Sequence, residues 1–406
     1  MRAVIGAATV LALAATLLAP APASADSIRD REYWLSSYGV STAWKTTKGA
    51  GVTVAIIDTG VDGSHPDLTG QVVGGRDFSG VGSADGQKPV GADGQHGTMV
   101  ASLLAGHGNG AGAGILGTAP EAKLLSASVG LGTGSVSSDD QIADAVRWSV
   151  DNGADIINIS LTRNTLEWPT SWDDAFLYAM EKDVIVVAAA GNRGSGTTEV
   201  GAPATMPGVV VVAGVDRNGK ASFDASSQGI TLTVSAPSED LVGAAPGGGY
   251  YLWAGTSGAA PLVAGMLALV RAAHPDLDAG NVINRLTATA TPAGEAIVYG
   301  SGLANAAAAV TDQVAAVDRD PADELAEWIR LNRRAVASPS PAATSTAAPA
   351  PRKVIAEPAN PFGSVLPGVD ALRDTGIPLL VYGSFLVLLI LLLRAVFREV
   401  RGLRRK

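Results

Sequence analysis

From Val52 to Asp58 the chain reads VTVAIID, a β-branched run without polar alternation that stops at a carboxylate. Runs of this kind suit strands buried on both faces, as parallel sheets require. Similar stretches recur at Leu124 to Ser128, Asp155 to Ser160, Val184 to Ala189 and Val209 to Ala213. Between several of them the apolar positions shift to helical spacing: Ile142, Ala145 and Val146 within Asp139 to Asp151, then Phe176 and Met180 within Trp172 to Lys182. Strands alternating with helices predict crossover units, and so an α/β fold in three layers, with a mainly parallel central sheet and helices on both faces. Functional side chains in such sheets gather beyond the carboxyl ends of strands, where Asp58 stands.

The two ends of the chain follow other patterns. Residues 1–25 begin with a charge at Arg2, continue apolar from Val4 to Leu18 and finish on Ala23-Ser24-Ala25, which reads as a signal peptide. A short N-terminal extension follows over residues 26–51, and its Trp34 and Trp44 are expected to pack on the main domain, residues 52–312. Residues 313–375 open with a charged segment, Asp318 to Arg334, a surface helix with Trp328 on one side. They pass into ASPSPAATSTAAPAPR, too poor in large apolar residues to build a core and therefore an extended spacer. Gly376 to Leu393 carries no charge, and a transmembrane helix is expected over residues 376–397. Beyond its apolar part come Arg394, Arg398, Arg401, Arg404, Arg405 and Lys406 against Glu399 alone, which keeps the tail, 398–406, cytoplasmic. The expected location is the cell membrane, crossed once, with the main domain extracytoplasmic.

Composition removes several classes of function. The 406 residues carry a formal net charge of -9, and most of the positive excess sits in the tail, so the exported part is more acidic still and nucleic-acid binding is disfavoured. With no cysteine, thiol catalysis, disulfides and cysteine-based metal sites are excluded. No calcium loop of EF-hand type is present, and neither a metal nor a cofactor is expected. The glycine-rich stretch GHGNGAGAG, Gly106 to Gly114, lacks the GK[ST] of a phosphate loop and reads as a plain loop.

Breaking a peptide bond with serine needs a nucleophile, a neutral imidazole to take its proton, a carboxylate to orient the ring, and donors for the oxyanion. Asp58 ends a strand; His96-Gly97-Thr98 opens the apolar helix MVASLLAG; Gly255-Thr256-Ser257 opens another, LVAGMLALVRAA, with Pro261 expected in its harmless first turn. His65, in the turn-rich Ser64-His65-Pro66, competes for the role of base but starts no helix, so His96 is preferred. Gly255-x-Ser257-x-Ala259 is superficially like an esterase elbow, but that fold needs its acid and histidine after the serine, and only His274 follows.

DTGVDGSHPDL, HGTMVASLLAG, AAAGN and GTSGAAPLVAG together resemble the four signature blocks of the subtilisin-like serine proteases, in that family's order and over about Val52 to Val310. The resemblance implies a peptidase in which Ser257 is the nucleophile, His96 the general base and Asp58 the residue that orients it, with Asn192 as the side-chain donor of the oxyanion hole. Ser257, at a helix N-terminus, would offer its own N–H as second donor. An extended substrate would lie between Gly132 to Gly134 and Ser160-Leu161, so Gly132, Gly134, Ser160 and Leu161 are expected to bind it. The architecture resembles mycosins, the membrane-anchored members associated with type VII secretion in actinobacteria. Implied partners are protein or peptide substrates and membrane components of that system. The alternative is a structural component of a secretion complex with a dispensable protease site. Two departures stand out: mycosins carry cysteines and this chain has none, and the residue after the nucleophile, often Met in subtilisins, is Gly258, expected to loosen the helix start slightly.

Overall fold

The computed structural model describes residues 27–132, 134 and 136–333. The expected signal peptide, Pro/Ala-rich spacer, transmembrane helix and basic tail lie outside the described residues. Seven strands form the central sheet: β1 (Thr53–Asp58), β2 (Val72–Asp77), β3 (Lys123–Ser128), β4 (Ile156–Ile159), β5 (Ile185–Ala189), β6 (Val210–Val215) and β7 (Val234–Pro237). Their order is β2-β3-β1-β4-β5-β6-β7, and every pairing is parallel. Because β3 and β4 flank β1, the direction of winding reverses there, and β1 and β4 end side by side at the crevice where such sheets carry their sites.

Strand side chains alternate between two cores. Ile56, Ile156, Val187 and Val212 face a layer built from α1 (His96–Ala105) and the long α4 (Thr256–Ala273). Ile57, Ile157, Ile159 and Val186 face the opposite layer, α2 (Ser138–Asp151) and α3 (Thr170–Glu181), where Trp172 stacks on Phe176. This is the three-layer α/β fold the sequence predicts, and burial on both faces explains the unbroken apolar runs. Ser137 caps α2 by accepting from Asp140 N–H, which fixes where that helix begins.

Among the described residues α4 is the one helix long and apolar enough to span a membrane, yet 78% of it is buried inside the domain, so its apolarity serves the core. A small antiparallel hairpin, β8 (Leu241–Ala244) and β9 (Tyr250–Trp253), leads into it. The residues before β1 belong to the same folded body: Trp34 is fully buried, and Trp44 Nε1 donates to Thr118 O at 2.8 Å. So does α5 (Pro321–Asn332), which buries Leu325 and sets Trp328 against Trp168, ring centroids 4.2 Å apart. Arg333 then pairs with Asp173 at 2.8 Å.

Candidate active site

Asp58 closes β1 with its side chain wholly buried, and its Oδ1 accepts the Thr59 N–H at 2.7 Å. The Thr59 hydroxyl oxygen accepts in turn from the Gly97 N–H at 3.0 Å, which ties the start of α1 to the end of β1. This junction requires glycine: a Cβ on residue 97 would lie 2.4 Å from Gly60 O. His96 is thereby brought over the carboxylate, with Nδ1 2.9 Å from each Asp58 oxygen. A carboxylate can only accept, so Nδ1 holds the proton and Nε2 of the neutral ring is left as the base. Burial pulls the imidazole pKa down, but the charge and hydrogen bond of Asp58, with a smaller push from Asp93, outweigh it and hold the pKa above the ordinary value. The Trp253 ring stands edge-on to the imidazole, centroids 5.7 Å apart.

Ser257 is the second residue of α4, where a backbone N–H has no intrahelical acceptor. Its Oγ donates to Ser160 O at 2.9 Å, and Ser160 Oγ donates back to Ser257 O at 2.9 Å. The nucleophile's proton thus rests on a carbonyl at the end of β4. Asn192 follows β5, and its Oδ1 accepts from Thr256 N–H at 2.8 Å. The Thr256 hydroxyl accepts from Gly191 N–H at 3.0 Å, while its one proton lies within reach of Asn192 Oδ1 at 3.0 Å and Gly191 O at 3.1 Å. With the amide oxygen occupied, Nδ2 is the group left to meet an oxyanion.

Asp58, His96, Asn192 and Ser257 therefore converge on one edge of the sheet, each at the end of a strand or the start of a helix. Ser160 and Leu161 follow β4 on the same edge. Gly132 and Gly134 sit in the turn before α2 with φ of 68° and 87°, and the Gly132 N–H donates to Ser138 Oγ at 3.2 Å. Leu131 and Leu161, one from each flank, line a shallow hollow with Arg163, Trp172 and Pro203. His65 lies elsewhere, buried against the Tyr250 ring with Nε2 3.1 Å from Gly249 O.

Two local expectations are corrected. Pro261 is the sixth residue of α4 and lies inside the helix, because the helix begins at Thr256. Gly258 does not merely loosen the helix: a Cβ there would lie 2.2 Å from Leu241 Cδ1 and 3.2 Å from Trp253 Cζ2. The hairpin closes into the space a side chain would fill, and the same closure sets Trp253 against His96. Sequence reasoning missed Thr256 as the support of Asn192, the Ser160 hydroxyl as a partner of Ser257, and Trp253. Thr256 adjoins the serine in its motif; the other two carry no signal in the sequence.

The subtilase family profile matches residues 49–310. Subtilisin E of Bacillus subtilis (strain 168) is 39% identical over 264 residues, 64% of this chain and 66% of its own length, just under two thirds. Subtilisin DY of Bacillus licheniformis is 40% identical over 268 residues, 64% of this chain and 92% of its own. Among solved structures, MycP1 with the N-terminal propeptide removed superposes with a TM-score of 0.61 at 30% identity, over 70% of this chain and 98% of that one. MycP3 protease from the type VII (ESX-3) secretion system gives 0.59 at 32%, over 73% and 90%. The extent of these matches, over the fold that carries the site, makes the chain a member of the subtilase family.

Proposed function

We propose that the chain is a membrane-anchored, extracytoplasmic endopeptidase that hydrolyses proteins or peptides through an acyl-enzyme at Ser257. The observation that carries this reading is the buried Asp58 carboxylate 2.9 Å from His96 Nδ1, with Ser257 at the start of α4 bonded to the carbonyl that follows the neighbouring strand β4. An extended substrate adds as a strand along Ser160-Leu161 and Gly132 to Gly134. Its backbone N–H competes for Ser160 O, the carbonyl that otherwise holds the Ser257 proton, and Oγ turns to His96 Nε2. Oγ then attacks the carbonyl carbon while Nε2 takes the proton, and the oxyanion is met by Asn192 Nδ2 and the Ser257 N–H. Collapse expels the amine, which collects the proton from Nε2; water repeats the sequence and frees Ser257.

The setting rests on the charge-free Gly376 to Leu393, the basic tail and the likeness to MycP1 and MycP3, the latter a protease from the type VII (ESX-3) secretion system. A comparison of new protein termini between cells carrying the wild type and Ser257→Ala tests it. Termini that depend on Ser257, in exported or outward-facing proteins, are expected. Equal sets of termini, with secretion lost only when the whole chain is deleted, would instead establish the scaffold role.

A further inference from the structure

Asn158 is the one polar residue of β4, fully buried and paired in register with Ile56 and Val187. Alternating with Ile157 and Ile159, it faces the layer that contains α4. Its Nδ2 donates to Ser160 Oγ at 2.9 Å, and its Oδ1 has no hydrogen-bond partner. The direction of this bond is fixed by chemistry. Ser160 Oγ gives its single proton to Ser257 O, which can only accept, so Oγ must accept from Asn158 and the amide nitrogen must face it. A leucine shares the branching of asparagine and would leave no orphaned oxygen, so core stability does not account for the amide.

The far end of the relay explains what it does. In an α-helix the Ser257 carbonyl would accept the N–H four residues on, which is residue 261. Pro261, inside α4, has no N–H, and its ring crowds that same carbonyl. Ser160 Oγ supplies the donor that the helix lacks.

We propose that Asn158 and Ser160 are positioning residues for the nucleophile: the relay from Asn158 Nδ2 through Ser160 Oγ to Ser257 O replaces the hydrogen bond Pro261 cannot make. It fixes the peptide unit that follows Ser257, and with it the direction of the Ser257 Cα–Cβ bond. This rests on Ser257 being the nucleophile. Neither side chain touches the reacting atoms.

The test is the second-order rate of fluorophosphonate labelling on the full-length chain in detergent, with thermal melts alongside. Ser160→Ala is expected to slow labelling about tenfold, while Ser160→Thr, which keeps a hydroxyl, stays within about twofold of wild type. In a Pro261→Ala background the added N–H takes over, and the further effect of Ser160→Ala shrinks to less than about twofold. A packing role gives no such dependence on residue 261, so an equal factor in both backgrounds overturns the proposal. Should Ser160→Ala fold poorly, Asn158→Leu serves: slower labelling in a protein at least as stable as wild type supports the relay, and a wild-type rate overturns it. Wild-type protein that takes no label at Ser257 refutes the nucleophile assignment instead.

Discussion

Thr256→Val keeps the branched shape of a fully buried side chain and deletes only its hydroxyl, so no cavity forms. The loss falls on the loop that carries Asn192. The Gly191 N–H, which donates to Thr256 Oγ1 at 3.0 Å, is left buried without an acceptor, a cost of about 1–3 kcal/mol. For a domain of this size that lowers Tm by about 2–5 °C. Asn192 loses one of its two holds and keeps the Thr256 N–H at 2.8 Å. If the lost bond is worth about 1 kcal/mol in orienting Nδ2 toward the oxyanion, kcat falls about fivefold. KM should stay unchanged, since the hydroxyl meets no substrate atom. Steady-state hydrolysis of a chromogenic peptide, with calorimetry on the same samples, measures both. A lowered Tm with kcat intact would show that Thr256 supports the loop and not the oxyanion donor; a raised KM with kcat intact would refute the reasoning altogether.

Two further substitutions probe the histidine from opposite sides. Asp58→Asn removes the main charge that holds the imidazole pKa up, leaving only the smaller push of Asp93 against burial. Activity requires the neutral ring, hence the acid limb of kcat/KM is expected to move to lower pH, together with a fall of about 10³ to 10⁴-fold in kcat from the wrong tautomer; an unmoved acid limb in the pH–rate profile contradicts the pairing. Gly258→Ala drives a methyl to 2.2 Å from Leu241 Cδ1 and against the ring that packs on His96. Overpacking of about 1–3 kcal/mol exceeds the gain of Ala over Gly near a helix end, so denaturant unfolding should detect a less stable and slower enzyme. A more stable variant would refute the close packing.

Asp58, His96 and Ser257 were legible as candidates because each lies in a short motif at a strand end or helix start, whereas Asn192 entered only through the resemblance to the subtilisin-like proteases. Apolar runs such as VIVVAA likewise announced strands buried on both faces. Other parts were not legible. β2, with Gly74 and Gly75, and the hairpin of β8 and β9, with its turn at Gly247 to Gly249, have too few apolar positions in a row to set a period. The hydroxyl pairing of Ser160 with Ser257 joins residues 97 apart and exists only once β4 and α4 meet. Pro261 was misplaced by a turn because its effect depends on where the helix begins, and that is set by Gly255 and Asn192 and not by the apolar run after it.

Covalent capture of the nucleophile tests the central claim most directly. Wild-type chain treated with a fluorophosphonate and digested for mass spectrometry should carry a single adduct, on Ser257, with none in the Ser257→Ala or His96→Ala proteins and no peptide hydrolysis in either. An adduct on another serine, or hydrolysis that survives Ser257→Ala, would contradict it.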